Sequence, residues 1–328
     1  MMQRFSRKRL SEAPLQFITR KLSRVEQCLV ILNPHAGRGT AEQKRPELEA
    51  ALHDAGIPYT LVTTHARGGA TELAWQGIEH GCEKIIAVGG DGTINEVVHG
   101  IKGAEASVGR RATLGIIPCG TGSDFIKSLS NIEPNDVLGG VRRIAAGQMK
   151  AVDVGRIHVT DGDERYFVNA LGMGFDAQVA AEAVKITKLK GIAVYFLAII
   201  RALAHYKAHP MTVQYDGMRL QRRLLFASVA NGRCQAGGFW LTPEALLDDG
   251  KLDLCLVDNI RLDEIIRYLP RVMEGTHTDL RQVTMGQARS VSIECSAPVP
   301  VATDGEVVAM QARQVTVETL PQALEVLV

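Results

Sequence analysis

The sequence predicts an α/β protein with an N-terminal doubly wound parallel-sheet domain and a C-terminal, mostly antiparallel, β-rich domain. Three observations carry that expectation. Short apolar runs alternate with amphipathic helical stretches between residues 27 and 147. Several of the turns that follow those runs are rich in glycine. Beyond Gly147 the pattern changes to β-branched, often alternating runs punctuated by Asp-Gly and Asn-Gly.

Cys28–Leu32 is short and wholly apolar, the mark of a buried strand. Asn33-Pro34-His35-Ala36-Gly37 opens a loop of small residues, and a helix then runs to Ala55. Tyr59–Thr63 is the second strand, Thr64–Gly69 a loop and Ala70–Ile78 a helix. Ile85–Val88 is the third strand and leads into Gly89-Gly90-Asp91-Gly92. Ile94, Val97, Val98 and Ile101 then share one face of a helix. Thr113–Ile117 is the fourth strand, and Pro118–Asp124 is another glycine turn opening a helix. In a doubly wound sheet such turns gather at the carboxyl edge, where ligands bind.

In the second half, Ala151–Val159, Arg165–Leu171, Met211–Tyr215, Arg223–Ala230, Leu252–Val257, Val283–Met285, Ser290–Cys295 and Gln314–Thr319 read as strands. One helical stretch, about Ala177–Ala208, interrupts them. The chain thus divides into an arm (1–26), an α/β domain (27–147), a β-rich domain (148–319) and a last segment (320–328) that returns to the first domain.

A strand, a glycine turn and a helix start, in that order, favour phosphate binding. Bare backbone can approach the ligand, and the helix N-terminus offers free N–H groups and the positive end of its dipole. Asp91 does not itself attract phosphate. It makes sense if a divalent cation sits between it and the phosphates; the structural alternative is a helix cap. Gly120-Thr121-Gly122-Ser123-Asp124 repeats this logic, with a hydroxyl and a second carboxylate. Asp304-Gly305-Glu306 lies between the apolar runs Val299–Ala302 and Val307–Met310, and by itself it signals a hairpin. Leu247–Asp253 is an acidic turn that lacks the full calcium-loop pattern.

Composition narrows the function classes. With 46% hydrophobic and 22% charged residues, the chain is that of a globular protein. A net charge of +1 gives no overall pull toward nucleic acid. The charge is uneven: Arg4, Arg7, Lys8, Arg9, Arg20, Lys21 and Arg24 crowd the first 27 residues beside Glu12 and Glu26. This arm is either a solvated tail or an anchor for an anionic membrane surface. No apolar core follows it, so a signal peptide is not expected, and a cytoplasmic setting is. The six cysteines show neither a CxxC pair nor metal spacing and read as buried thiols. The nine histidines show no metal spacing, and neither GxGxxG nor GxxxxGK[ST] occurs.

Taken together, Asn33–Gly37 (NPHAG), Gly89–Asn95 (GGDGTIN), Gly120–Phe125 (GTGSDF), Asn231–Asp253 and Asp304–Glu306 (DGE) resemble the diacylglycerol kinase catalytic-domain family, especially its soluble bacterial members. The resemblance runs from about residue 27 to the end. It implies a lipid kinase that holds ATP in the cleft between its two domains. Its ATP contacts would be Asn33, Pro34, His35, Ala36, Gly37, Thr64, Gly89, Gly90, Asp91, Gly92, Thr93, Ile94, Asn95 and Thr121. Glu306 would accept the proton of the lipid hydroxyl, with Asp304, Asp91 and Asp124 shaping the magnesium and water network. Leu246 and Lys251, through their carbonyls, and Asp249 would match a structural magnesium site. The implied partners are a lipid substrate and an anionic membrane face; nucleic acid is not among them. The oligomeric state is open, a homodimer included.

Two departures from the family pattern stand out. Ser123 occupies the place where the family usually has Asn, and Asn231–Gly238 is less glycine-rich than usual. Rival readings are a kinase of another acceptor, such as phosphatidylglycerol, a sphingoid base or NAD, and a nucleotide-binding regulator without catalysis. GGDGT alone is shared with NAD kinases and phosphofructokinases.

Overall fold

The computed structural model describes residues 28–328 except 121, 130–132, 134, 161–163, 187–188 and 190–191. The basic arm therefore lies outside the described residues, as does Thr121. Strands β1 (Cys28–Leu32), β2 (Thr60–Thr63), β3 (Lys84–Gly89) and β4 (Thr113–Pro118) form a parallel sheet in the order β4-β3-β1-β2. Helices α1 (Thr40–Gln43), α2 (Arg45–Asp54), α3 (Gly69–Glu79), α4 (Asp91–Val108), α5 (Asp124–Leu129) and α6 (Val137–Ala146) accompany it. Leu29, Ile31, Ile85 and Leu114 pack on α3 and α4, whereas Val30, Leu32, Ile86 and Ile117 pack on α2 and α6. In β1, β3 and β4 both faces are buried, which is why these strands are almost wholly apolar and do not alternate, whereas β2 at the sheet edge alternates between buried and half-buried residues.

The second domain contains β5 (Met149–Val159), β6 (Arg165–Phe167), β7 (Ala170–Gly174), β8 (His209–Tyr215), β9 (Met218–Ala230), β10 (Leu252–Asp258), β11 (Val283–Ala288), β12 (Ser290–Thr303) and β13 (Glu306–Leu327). All their mutual pairings are antiparallel. Strand β13 serves both domains: it pairs with β12 and β5, and at its end Val326 lies parallel to Leu114 of β4. Leu324 and Val326 are buried in the core of the first domain.

Three details differ from the sequence reading. The run Arg165–Leu171 is broken between β6 and β7, because the N–H groups of Val168, Asn169 and Ala170 donate to the Asp304 side chain. The single helical stretch is two helices, α7 (Phe175–Ala183) and α8 (Ile192–Leu203), which pack on each other. Two further helices, α6 and α9 (Leu262–Glu274), stand where the sequence reading placed none. The chain does carry a signal for α9: Ile265, Leu269, Val272 and Met273 share one face and pack into an apolar cluster with Phe175, Val179, Ile199 and Phe239. Among the described residues no helix is long and apolar enough to cross a membrane.

Candidate active site

The glycine turns after β1, β3 and β4 converge. Asn33 Nδ2 donates to Thr93 Oγ1 at 3.0 Å, tying the first loop to the third. Strands β3 and β4 are neighbours, with Gly89 opposite Pro118, so the turns that leave them meet. They meet backbone to backbone: a Cβ on Gly120 would lie 2.5 Å from Gly90 Cα. No larger residue fits at Gly120, and a side chain at Gly90 would press on Gly120 Cα at 3.2 Å.

This contact brings the two aspartates together. A Cβ on Gly122 would stand 2.8 Å from Asp91 Oδ2 and 3.7 Å from Asp124 Oδ2. Asp91 Oδ1 accepts the N–H of Phe125 at 3.3 Å. Burial, and after it the Asp124 charge, pushes the Asp91 carboxyl up to about 7. Asp124 is better partnered. It accepts Gly237 N at 2.8 Å and Cys234 Sγ at 3.4 Å, and it pairs with Lys127 at 3.3 Å. It therefore links α5 to the second domain as well as facing Asp91.

The third acidic turn arrives from the other domain. Asp304 and Gly305 both have positive φ, 48° and 80°, as a two-residue type I′ hairpin between β12 and β13 requires. That turn aims the Asp304 carboxylate inward. Its Oδ2 accepts Asn95 Nδ2 at 2.7 Å and Val168 N at 3.0 Å; its Oδ1 accepts Asn169 N at 3.0 Å and Ala170 N at 2.8 Å. Burial holds this carboxyl above its ordinary range against the opposite pull of those donors. With four donors in place, both Asp304 oxygens are engaged within the protein. Glu306, two residues on, reaches the cleft: a Cβ on Gly92 would lie 3.4 Å from Glu306 Oε1. Arg67 Nη2 lies 3.3 Å from the same oxygen.

A cavity of about 670 Å³ runs through this point. One end is lined by Asn33, His35, Ala36, Gly37 and Thr64, with Gly90–Thr93, Asp124, Asp304 and Glu306 beside them. The other end is apolar, with Phe175, Val179, Ile199, Phe239, Leu269 and Val272. Pro34, Gly89, Ile94 and Asn95 do not line it, and Asn95 is buried with its amide on Asp304 and on Tyr166 O. Asp176, half-buried on the first turn of α7, also lines the cavity, and burial pushes its carboxyl up to about 7. The sequence reading missed Arg67, Asp176 and the α9 face. Arg67 carries no signal in the sequence beyond a charge in a loop.

Leu246, Asp249 and Lys251 lie away from the cavity, in the turn before β10. Asp249 Oδ1 accepts Lys251 N at 3.0 Å, and the neighbouring Gly250 N donates to Asp153 at 2.6 Å. Among the described residues no group of three or more His, Cys, Asp or Glu is arranged to hold a metal. A cation in the cleft would instead take Asp91 and Asp124 with phosphate oxygens and water. Such a sparse protein set suits magnesium, and the raised Asp91 carboxyl is the kind of group a cation would relieve.

Residues 27–157 match the family model of the diacylglycerol kinase catalytic domain. Residues 169–328 match that of the YegS C-terminal NAD kinase beta sandwich-like domain. A diacylglycerol kinase of Staphylococcus saprophyticus is 31% identical over 278 residues, 84% of this chain and 88% of that one. The chain belongs to the diacylglycerol kinase catalytic-domain family. One of the same description from Staphylococcus aureus strain JH9 is also 31% identical, over 84% of this chain and 85% of that one. A solved structure from Bacillus anthracis str. Sterne, 26% identical, superposes with a TM-score of 0.74 over 92% of this chain and 96% of that one. Another from that source, described as a diacylglycerol kinase, shares the fold at 24% identity with a TM-score of 0.69, covering 92% of this chain and 96% of that one. Family membership supports a kinase, and the glycine turns are where such a family member would hold phosphate.

Proposed function

We propose that the protein is an ATP- and magnesium-dependent lipid kinase that transfers the γ-phosphate to a hydroxyl of a diacylglycerol-like acceptor. The observation that carries this reading is the position of Glu306. Its carboxylate sits against Gly92 of the phosphate turn and lines the same cavity as the apolar residues of α7, α8 and α9. A hydroxyl there meets a base on one side and phosphate on the other, while acyl chains extend between α7, α8 and α9.

In this reading the N–H groups of the Gly90–Thr93 turn hold phosphate oxygens. Asp91 and Asp124 would hold magnesium, whose charge offsets that of the β- and γ-phosphates. Glu306 takes the hydroxyl proton as the oxygen attacks phosphorus and the bond to the β-phosphate oxygen breaks. Asp304 keeps the hairpin, and so Glu306, in place. A magnesium at the Leu246, Asp249 and Lys251 turn would be structural, since none of these residues lines the cavity.

The acceptor must leave a bilayer. Val184, Phe196, Ile200 and Ile266 are exposed on or beside α7, α8 and α9, whose other faces line the cavity. Lys185, Arg201 and Arg267 are exposed among them. Such a face suits peripheral contact with anionic lipid.

The test uses labelled ATP, magnesium and a lipid extract, with mass identification of the product. Label on a glycerolipid hydroxyl is the expected outcome. Label on NAD, or nucleotide binding with no transfer to any lipid, would overturn the reading.

A further inference from the structure

We propose that Arg67 is the protein's cationic ligand for the γ-phosphate, exchanging its contact with Glu306 for the nucleotide when ATP binds. This rests on the nucleotide reading of the cleft given above and adds a residue to it.

The cavity is rich in carboxylates: Asp91, Glu96, Asp124, Asp176, Asp304 and Glu306 all line it. Among the described lining residues, Arg67 is the sole Lys or Arg. A bound triphosphate would bring several negative charges into this acidic site. One magnesium and neutral N–H groups leave part of that charge uncompensated. Arg67 is the cation placed to balance it.

Its backbone is held and its side chain is not. Immediately after Arg67, the Glu96 carboxylate accepts Gly68 N at 2.8 Å and Ala70 N at 3.0 Å, the two residues that flank Gly69. Thr71 Oγ1 donates to Glu96 O at 2.8 Å, and Thr64 N donates to Leu32 O at 2.9 Å. Glu96 belongs to α4, the helix that begins at the phosphate turn, so the loop bearing Arg67 is registered to that turn. The Arg67 side chain itself is 68% exposed, and its ion-pair partner is Glu306 Oε1 at 3.3 Å. An exposed pair of this kind is worth little and exchanges readily.

The position selects the γ-phosphate. The glycine turn marks the inner phosphates, and Glu306 marks the acceptor hydroxyl; the transferring phosphoryl lies between them. A guanidinium that touches Glu306 reaches that phosphoryl with a small rotation, and its forked donors match phosphate oxygens.

The experiment measures calorimetric binding of magnesium with the non-hydrolysable analogue AMP-PNP, and of magnesium with ADP, to the full chain and to Arg67→Ala and Arg67→Lys. The proposal expects Arg67→Ala to weaken the triphosphate about tenfold or more while ADP changes less than about twofold, with Arg67→Lys between. Equal losses for both nucleotides, or no loss for either, would overturn it while leaving the nucleotide reading intact. A wild-type chain that binds neither nucleotide would overturn both.

Discussion

Asn95 Nδ2 donates to Asp304 Oδ2 at 2.7 Å, and this one hydrogen bond joins the helix of the phosphate turn to the hairpin of the proposed base. Both residues are buried, at 3% and 8% exposure, so the bond is shielded from water. Through it Asp304 fixes where Glu306 stands relative to Gly92.

Replacing Asp304 with Asn should therefore act through position. Each Asp304 oxygen accepts two N–H donors, so an amide nitrogen in either place faces donors it cannot accept. The expected cost is roughly 2–4 kcal/mol of stability. Thermal unfolding should show the loss, and residual activity should fall through kcat. An Asp304→Asn protein as stable and active as wild type would contradict this role.

Much of the fold is legible in the sequence because its causes are local. Wholly apolar runs such as Cys28–Leu32 announce a sheet buried on both faces, and paired glycines announce turns where backbones touch. What escapes a linear reading is what depends on distant partners. The break between β6 and β7 exists because Asp304, 135 residues from Asn169, captures its N–H and those on either side. Arg67 reads as an ordinary loop charge, and it is the remote Glu96 that ties the end of its loop to α4, with Arg67 beside Glu306. Asp304-Gly305-Glu306 reads locally as a hairpin, and only distant partners such as Asn95 and Asn169 place it at the cavity.

Ser123 is a second place where chain and geometry disagree. It adopts φ 55°, a left-handed conformation that suits Asn or Gly better than Ser. Its hydroxyl is buried without a hydrogen-bond partner among the described residues. Ser123→Gly should raise stability by about 0.5–1 kcal/mol. A lower melting temperature would mean that the hydroxyl serves a contact the backbone geometry does not reveal.

Asp176 supplies a pH dependence. Its carboxyl is raised by burial from the ordinary 3.8 to about 7. A carboxyl raised in the folded state contributes stability that is fully present below its unfolded pKa and is lost as pH rises through the folded one. Asp176→Asn should therefore be nearly neutral at pH 4 and stabilising at pH 8, by about 1–2 kcal/mol once the opening to the cavity is allowed for. Melting curves at the two pH values decide it; an equal effect at both would contradict the assignment.

The apolar end of the cavity should set chain-length preference. Ala180 on α7 lines it, beside Val179. Ala180→Trp would fill part of that space and should raise KM for long-chain acceptors about tenfold, with nucleotide binding unchanged. Unaltered KM for a long-chain diacylglycerol would move the acyl chains elsewhere.

The most direct measurement compares wild type with Glu306→Gln in single-turnover transfer from labelled ATP to the identified lipid, alongside nucleotide binding to both. Gln keeps the shape and removes the base, so transfer should fall about 100-fold or more while nucleotide affinity stays within a few-fold. Transfer at the wild-type rate by Glu306→Gln would contradict the account.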